Sequence, residues 1–197
     1  MAEPQNIVAM ALDQSPNHTG WAIGSPGELK PKYGVFDLPT WGDLEGRRLC
    51  DFEDWLIGKI KNEGVTALFY EAPVDMKFKS FDVTSKQNMQ IGAIHMSAHR
   101  CKISVEQVTA NDWRKRFLGF TKPVGVTGDK VRPELKRLAV KACADRNWYV
   151  DDDNVAEALG ILDFSLSTLS HKHAGSRDPL FSRAQWGHDV AKFRGEV

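Results

Sequence analysis

The sequence predicts an α/β fold built on a mixed sheet. Two observations carry this. Three short apolar runs come first, and Ser25-Pro26-Gly27 supplies turn chemistry among them. Later apolar runs alternate with helical stretches, the long connections that parallel strands require. The expected order is an antiparallel meander of three strands, helix, strand, helix, strand, then further helices, giving a five-stranded mixed sheet flanked by helices.

The elements follow in turn. Residues 6–12, with the run Ile7-Val8-Ala9-Met10-Ala11-Leu12, read as a buried strand. Thr19 to Gly24 reads as a second strand and Lys32 to Asp37 as a third. Residues 43–62 place Leu44, Leu49, Phe52, Trp55, Leu56 and Ile60 at helical spacing, with Gly64 suited to the helix C-cap. Residues 65–70 form a fourth strand, and 84–100 a helix carrying Met89, Ile91, Ile94, Met96 and Ala98. Ile103 to Val108 alternates as a fifth strand. Thr109 suits the N-cap of a short helix containing Trp113 and Phe117. Glycines and prolines make 119–128 a loop, and 130–146 and 153–169 are the last helices.

A length of 197 residues with 42% hydrophobic content suits one domain with a real core, placed at 1–170. Residues 171–197 are polar and aperiodic and read as a tail. The widely spaced Cys50, Cys101 and Cys143 fit neither a zinc site nor a disulfide framework. The start of the chain lacks the basic and apolar regions of a signal peptide, and no run is long enough to span a membrane. A cytoplasmic protein is expected. Net charge is zero, so it names no partner. Between Asn111 and Arg146, however, ten basic residues stand against four acidic ones. That stripe either binds phosphate backbones or forms a solvated helix face.

The acids are more informative than the bases. Asp13 directly follows the first apolar run and Glu71 follows Val65 to Tyr70. Asp151-Asp152-Asp153 opens the last helix, which carries Glu157 among Val155, Ala156, Ala158 and Leu159. If these ends converge, they make an oxygen-rich pocket for hard divalent cations, as two-metal phosphodiester hydrolysis needs. The bland alternatives are a turn-forming Asp13, a surface Glu71 at a strand end, and N-capping by one of the three consecutive aspartates. Glu157 is harder to explain away, because a carboxylate in an apolar helix is costly unless paired or metal-bound. Phe78 and Phe81, interleaved with Lys77 and Lys79, either pack under a loop or stack on an unpaired base.

Together these segments resemble the RuvC-type Holliday junction resolvases of the RNase H-like (retroviral-integrase-type) superfamily, especially their phage-encoded branch. The resemblance covers about residues 6–168. It rests on Ala11-Leu12-Asp13-Gln14-Ser15-Pro16 with Thr19-Gly20-Trp21-Ala22, on Phe69-Tyr70-Glu71-Ala72-Pro73, on Val108 to Lys115, and on Asp153 to Leu159. It implies an RNase H-like fold and a Mg²⁺-dependent, structure-specific endonuclease. The expected substrate is branched double-stranded DNA: four-way junctions, and also flaps or forks. Asp13, Glu71, Asp153 and Glu157 would be catalytic and would hold two Mg²⁺ per site, with Mn²⁺ able to substitute. Paired symmetric nicks leaving 5′-phosphate ends would require a homodimer. Phe78, Lys79, Phe81, Arg114, Lys115, Lys130, Lys136 and Arg137 are the expected DNA contacts.

The sequence departs from the family in two places. Glu157 stands where the family usually has Asp, and Asn154 where cellular members carry an acid or His. Both the i+3 and i+4 spacings share a helix face, so Asp153 or Asn154 can accompany Glu157. Asp153 is favoured because a carboxylate binds Mg²⁺ better than an amide, and Asp152 competes if the helix starts later. These departures also motivate an alternative: a non-catalytic, structure-specific DNA-binding protein derived from such a nuclease. An actin-like ATPase would need a second phosphate-binding loop and a much longer chain.

Overall fold

The computed structural model describes residues 7–38, 45–73 and 81–169. Strands β1 (Ala9–Gln14), β2 (His18–Gly24) and β3 (Lys32–Asp37) form the meander, followed by helix α1 (Glu45–Glu63). Then come β4 (Ala67–Glu71), α2 (Phe81–Cys101), β5 (Ser104–Val108) and α3 (Ala110–Phe117). A 3₁₀ turn at Gly128–Lys130 leads into α4 (Val131–Ala144), and α5 (Asp153–Leu169) closes the described chain. The expected element order and the mixed sheet are observed. Strand order is β3-β2-β1-β4-β5. The β1–β2 and β2–β3 pairs are antiparallel, and the β1–β4 and β4–β5 pairs are parallel. Among the described residues no helix is long and apolar enough to cross a membrane. The expected tail 171–197, Phe78 and Lys79 lie outside the described residues.

Side chains alternate across a strand, so parity decides what each residue meets. Ala9 and Ala11 of β1, and Ala67 and Phe69 of β4, join one core with α3, α4 and α5. Met10 and Leu12, with Leu68 and Tyr70, join a second core on the opposite face with Phe52, Leu56 and Ile60 of α1 and Ile94 of α2. The sheet is therefore the middle of three layers. The face toward α5 is built largely from alanine, and small residues let a helix backbone come close. α5 is buried at every position from Val155 to Asp163, as befits a helix packed on several sides.

Two glycines allow that approach. A Cβ on Gly20 of β2 would lie 2.2 Å from the backbone carbonyl carbon and oxygen of Asn154. Gly20 is the register partner of Asp13, so the close contact seats the start of α5 directly beside that carboxylate. A Cβ on Gly160 would meet the Trp113 ring at 2.6 Å, which fixes α5 against α3.

The first strand runs two residues further than its apolar pattern suggests. Gln14 pairs with Thr19, and Ser15 closes the turn by donating its backbone N–H to the His18 carbonyl at 2.9 Å. Asp13 therefore lies within a strand rather than after one. The turn is anchored from α1 by the buried Arg48, whose Nη2 donates to the Pro16 carbonyl at 2.7 Å. Gly64 has φ +64°, the left-handed conformation that terminates α1. Thr109 caps α3 as expected, its hydroxyl accepting from the Asp112 N–H at 3.3 Å.

Gly20→Ala should destabilise the protein by about 2–3 kcal/mol, because its methyl meets backbone that cannot rotate away. Urea denaturation monitored by tryptophan fluorescence measures this. A stability within about 0.5 kcal/mol of wild type, the usual range for surface substitutions, would show that α5 is not seated through this contact.

Candidate active site

Parity places the first two acids. Asp13 shares the phase of Ala9 and Ala11, and Glu71 shares that of Ala67 and Phe69, so both project toward α5. Glu157 lies on α5, in the stretch packed on that face. All three carboxylates are buried. They line a cleft of about 690 Å³ together with Gln14, Arg114 and Asn154.

Holding like charges together shifts a titration. The Asp13 carboxyl is pushed well above the usual carboxylate range, first by burial, then by the charges of Glu157 and Glu71 and a hydrogen bond with Glu157. Lys136 opposes these effects. Cations and N–H groups hold the other two acids. Arg114 Nη2 lies 3.2 Å from Glu157 Oε1 and 3.9 Å from Glu71 Oε1. Trp113 Nε1 donates to Glu71 Oε1 at 3.0 Å.

The strand tips are braced by amides. Gln14 Nε2 donates to the Glu71 carbonyl at 2.8 Å, tying β1 to β4 where their acids emerge. From α2, Gln87 Nε2 donates to the Gln14 carbonyl at 3.2 Å and Gln90 Nε2 to the Ser15 carbonyl at 3.1 Å. Sequence reading missed this brace and the bridging position of Arg114. The available signal was Gln14, a polar residue continuing a buried strand on the face opposite Asp13.

The start of α5 divides its acids among different tasks. Asp152 Oδ1 accepts from the N–H groups of Asn154 and Val155 at 2.8 and 3.0 Å, the geometry of an N-cap. Asp153 pairs with Lys136 and is not among the residues lining the cleft. Asn154 does line it, as does Asp129 from the 3₁₀ turn. Of the two residues that can accompany Glu157, Asn154 lines the cleft and the favoured Asp153 pairs with Lys136.

The basic stripe also divides. Arg116 is consumed by the buried Asp163 at 3.1 Å, and Arg146 lies over the Phe117 ring at 4.0 Å. Arg137 pairs with Glu134 at 2.6 Å on the surface. Lys115, Lys122, Lys130 and Arg132 are exposed, and Arg132 lines the cleft. Phe81, the first residue of α2, is 81% exposed.

The donors suit a hard divalent cation: the buried carboxylates of Asp13, Glu71 and Glu157 line one cleft with the Asn154 amide, and Asp129 adds a fourth acid to its lining. Among the described residues, no three His, Cys, Asp or Glu side chains already stand at metal-binding geometry. The Arg114 guanidinium is the cation that faces Glu71 and Glu157 there.

No protein-family model and no curated protein matches the sequence. Solved structures do share the fold. Thermus thermophilus RuvC in complex with a Holliday junction substrate superposes with a TM-score of 0.63 at 11% identity, covering 82% of this chain and 95% of that one. A second Thermus thermophilus RuvC structure gives 0.62 at 13% identity over the same shares. The yeast mitochondrial Holliday junction resolvase Ydc2 gives 0.56 at 12% identity, covering 86% of this chain and 83% of that one. The fold is thus RNase H-like, of the RuvC kind.

The raised Asp13 pKa makes a signed prediction for stability. A carboxyl whose pKa rises on folding contributes stability that is fully present below its ordinary value of 3.8 and is lost as pH climbs through its folded value. In EDTA, wild-type protein should therefore lose thermal stability as pH rises from about 4 toward neutrality. Asp13→Asn stays neutral at every pH and so avoids this loss, and its Tm at pH 7.5 should exceed that of wild type by about 2–4 °C, the effect of roughly 1 kcal/mol in a chain of this size. Parallel Tm-against-pH curves for the two proteins would sink the assignment.

Proposed function

We propose that this protein is a Mg²⁺-dependent endonuclease that cuts branched DNA, with four-way junctions as principal substrate. The observation that carries the reading is the convergence of Asp13, Glu71 and Glu157 in one cleft of a RuvC-like fold. Chemistry of this class needs buried oxygen ligands beside cations that can hold a phosphate backbone, and the cleft lining includes Arg114 and Arg132 beside the acids.

In this reading Asp13, Glu71 and Glu157 would hold Mg²⁺, or Mn²⁺ in its place, with α5 adding a ligand from Asn154 or, once released from Lys136, from Asp153. Two bound cations would supply a water of lowered pKa and neutralise charge developing at the scissile phosphate. The chain's own residues do the positioning. The Gln14, Gln87 and Gln90 brace holds the strand tips, and the Asp152 cap holds the start of α5. Arg132, Lys130, Lys115 and Lys122 engage phosphates, with contributions from Arg114, Lys136 and Arg137. The exposed Phe81, and Phe78 and Lys79 shortly before it in the sequence, would contact the DNA, an aromatic stacking on an unpaired base. Two symmetric nicks with 5′-phosphate ends would need two copies of the site, hence a homodimer on the junction. Flaps and forks offer the same branch-point geometry and are secondary substrates.

A second reading, binding without cleavage, has one observation in its favour. A cation of the protein itself, Arg114, already stands between two of the acids. Nicking of a synthetic four-way junction in Mg²⁺ against EDTA separates the two readings: no Mg²⁺-dependent nick, with binding intact, would leave the binding protein.

Asp13→Asn and Glu157→Gln should each lower single-turnover cleavage by at least about 1,000-fold, close to 4 kcal/mol of transition-state stabilisation, while junction affinity changes little. Cleavage within about tenfold of wild type, roughly 1.4 kcal/mol, would remove the residue from the ligand set. Asn154→Ala should be more damaging than Asp153→Asn, and the reverse ranking would give the place beside Glu157 to the carboxylate.

Junction binding should survive in EDTA and weaken steeply with salt. Replacing Lys130 and Arg132 together with Ala should flatten the slope of log K against log salt by about 2, close to one unit per lost phosphate contact. An unchanged slope would place this stripe on a face away from the DNA.

A further inference from the structure

Arg114 is held for a purpose that phosphate binding does not explain. Its guanidinium faces inward, with only 18% of the side chain exposed, against carboxylates of 12% and 7% exposure on Glu71 and Glu157. It lies over the ring of Trp113 at 5.0 Å, and that indole donates to the same Glu71 oxygen that the guanidinium approaches. Trp113 and Phe117 bury α3 in the core, so the arginine stem springs from a rigid helix. A cation fixed between two buried acids cancels the repulsion that would otherwise push β4 and α5 apart at this point. The same two acids are those to which the proposed metal site assigns a divalent ion, so guanidinium and metal compete for the Oε1 atoms that the arginine faces.

We propose that Arg114 is a built-in counter-ion: it holds Glu71 and Glu157 together until a divalent cation loads, and loading displaces it. The proposal rests on the metal-site reading above. It makes metal uptake an exchange of one cation for another, so the protein gives up affinity for free metal in return for a preassembled site. A guanidinium displaced from the acids remains in the cleft that it lines, where a phosphate is the group able to satisfy it.

The test is Mn²⁺ binding to the DNA-free protein, followed by titration calorimetry and by the electron paramagnetic resonance signal of free Mn²⁺. Four variants are compared with wild type at one pH: Arg114→Met, Arg114→Lys, Arg132→Met and Asp13→Asn. Arg114→Met should bind Mn²⁺ at least about fivefold more tightly than wild type, the lower end of ordinary coupling between sites. It should also melt at a lower temperature in EDTA and gain more from Mn²⁺ than wild type does. Arg114→Lys, which keeps the charge but loses the fork, should fall between the two. Arg132→Met removes a cleft cation that touches neither acid and should leave Mn²⁺ affinity within about twofold of wild type. Equal tightening by Arg132→Met and Arg114→Met would reduce the effect to net charge and overturn the proposal, as would unchanged affinity in Arg114→Met. If Arg114→Met folds only when Mn²⁺ is present, the exchange is supported; if it fails to fold even then, the arginine is merely structural and the proposal falls. Asp13→Asn separates the two levels: Mn²⁺ binding undiminished in that variant would refute the metal site itself, whatever Arg114 does.

Discussion

Three carboxylates placed side by side in a protein interior repel one another, and burial raises the cost of each charge. The architecture around the cleft answers that constraint. Asp13 is driven toward its protonated form, Glu157 and Glu71 face Arg114, and Glu71 also accepts the Trp113 N–H. A site under such tension stays assembled only if its supports are stiff. Here they are a central strand pair, a helix buried on several sides, and amide hydrogen bonds across the strand tips.

The supports are cheap in sequence terms. One face of β1, β2 and β4 presents Ala9, Ala11, Ala22 and Ala67, and Gly20 removes the last side chain between β2 and the start of α5. Small residues thus trade apolar burial on that face for close approach of a helix. The larger side chains, Met10, Leu12, Leu68 and Tyr70, are moved to the opposite face, where α1 and α2 supply bulk. The two cores have different work: one positions the acids and the other anchors the sheet.

Charge in the 111–146 region follows the same division. Arg116 and Arg146 turn inward and serve packing, Arg137 and Lys136 meet acids on or near α4 and α5, and exposed lysines with Arg132 remain for an anionic partner. A count of basic residues therefore overstates the exposed positive surface. The cleft itself combines acids at its base with Arg114 and Arg132 among its lining, a mixed polarity suited to holding a cation and a phosphate at once.

The sequence by itself determined the element order and the mixed sheet, put Asp13 and Glu71 at the ends of two apolar runs, and marked Glu157 as an acid out of place unless paired or metal-bound. Periodicity and turn chemistry are local, and a buried acid is an anomaly that a single chain reveals. Thr109 as a cap and Gly64 as a helix stop were legible for the same reason. What only the tertiary structure decided is which neighbour each side chain meets. Asp152, Asp153 and Asn154 are consecutive, yet one caps the helix, one pairs with Lys136 and one lines the cleft. A helix rotates by about 100° per residue, so a one-residue difference in its start reassigns all three. Gln14 as a brace and Arg114 as the cation between two acids depend on β4, α2, α3 and α5 meeting at one place. That meeting is set by long-range packing, which no local pattern in the chain records.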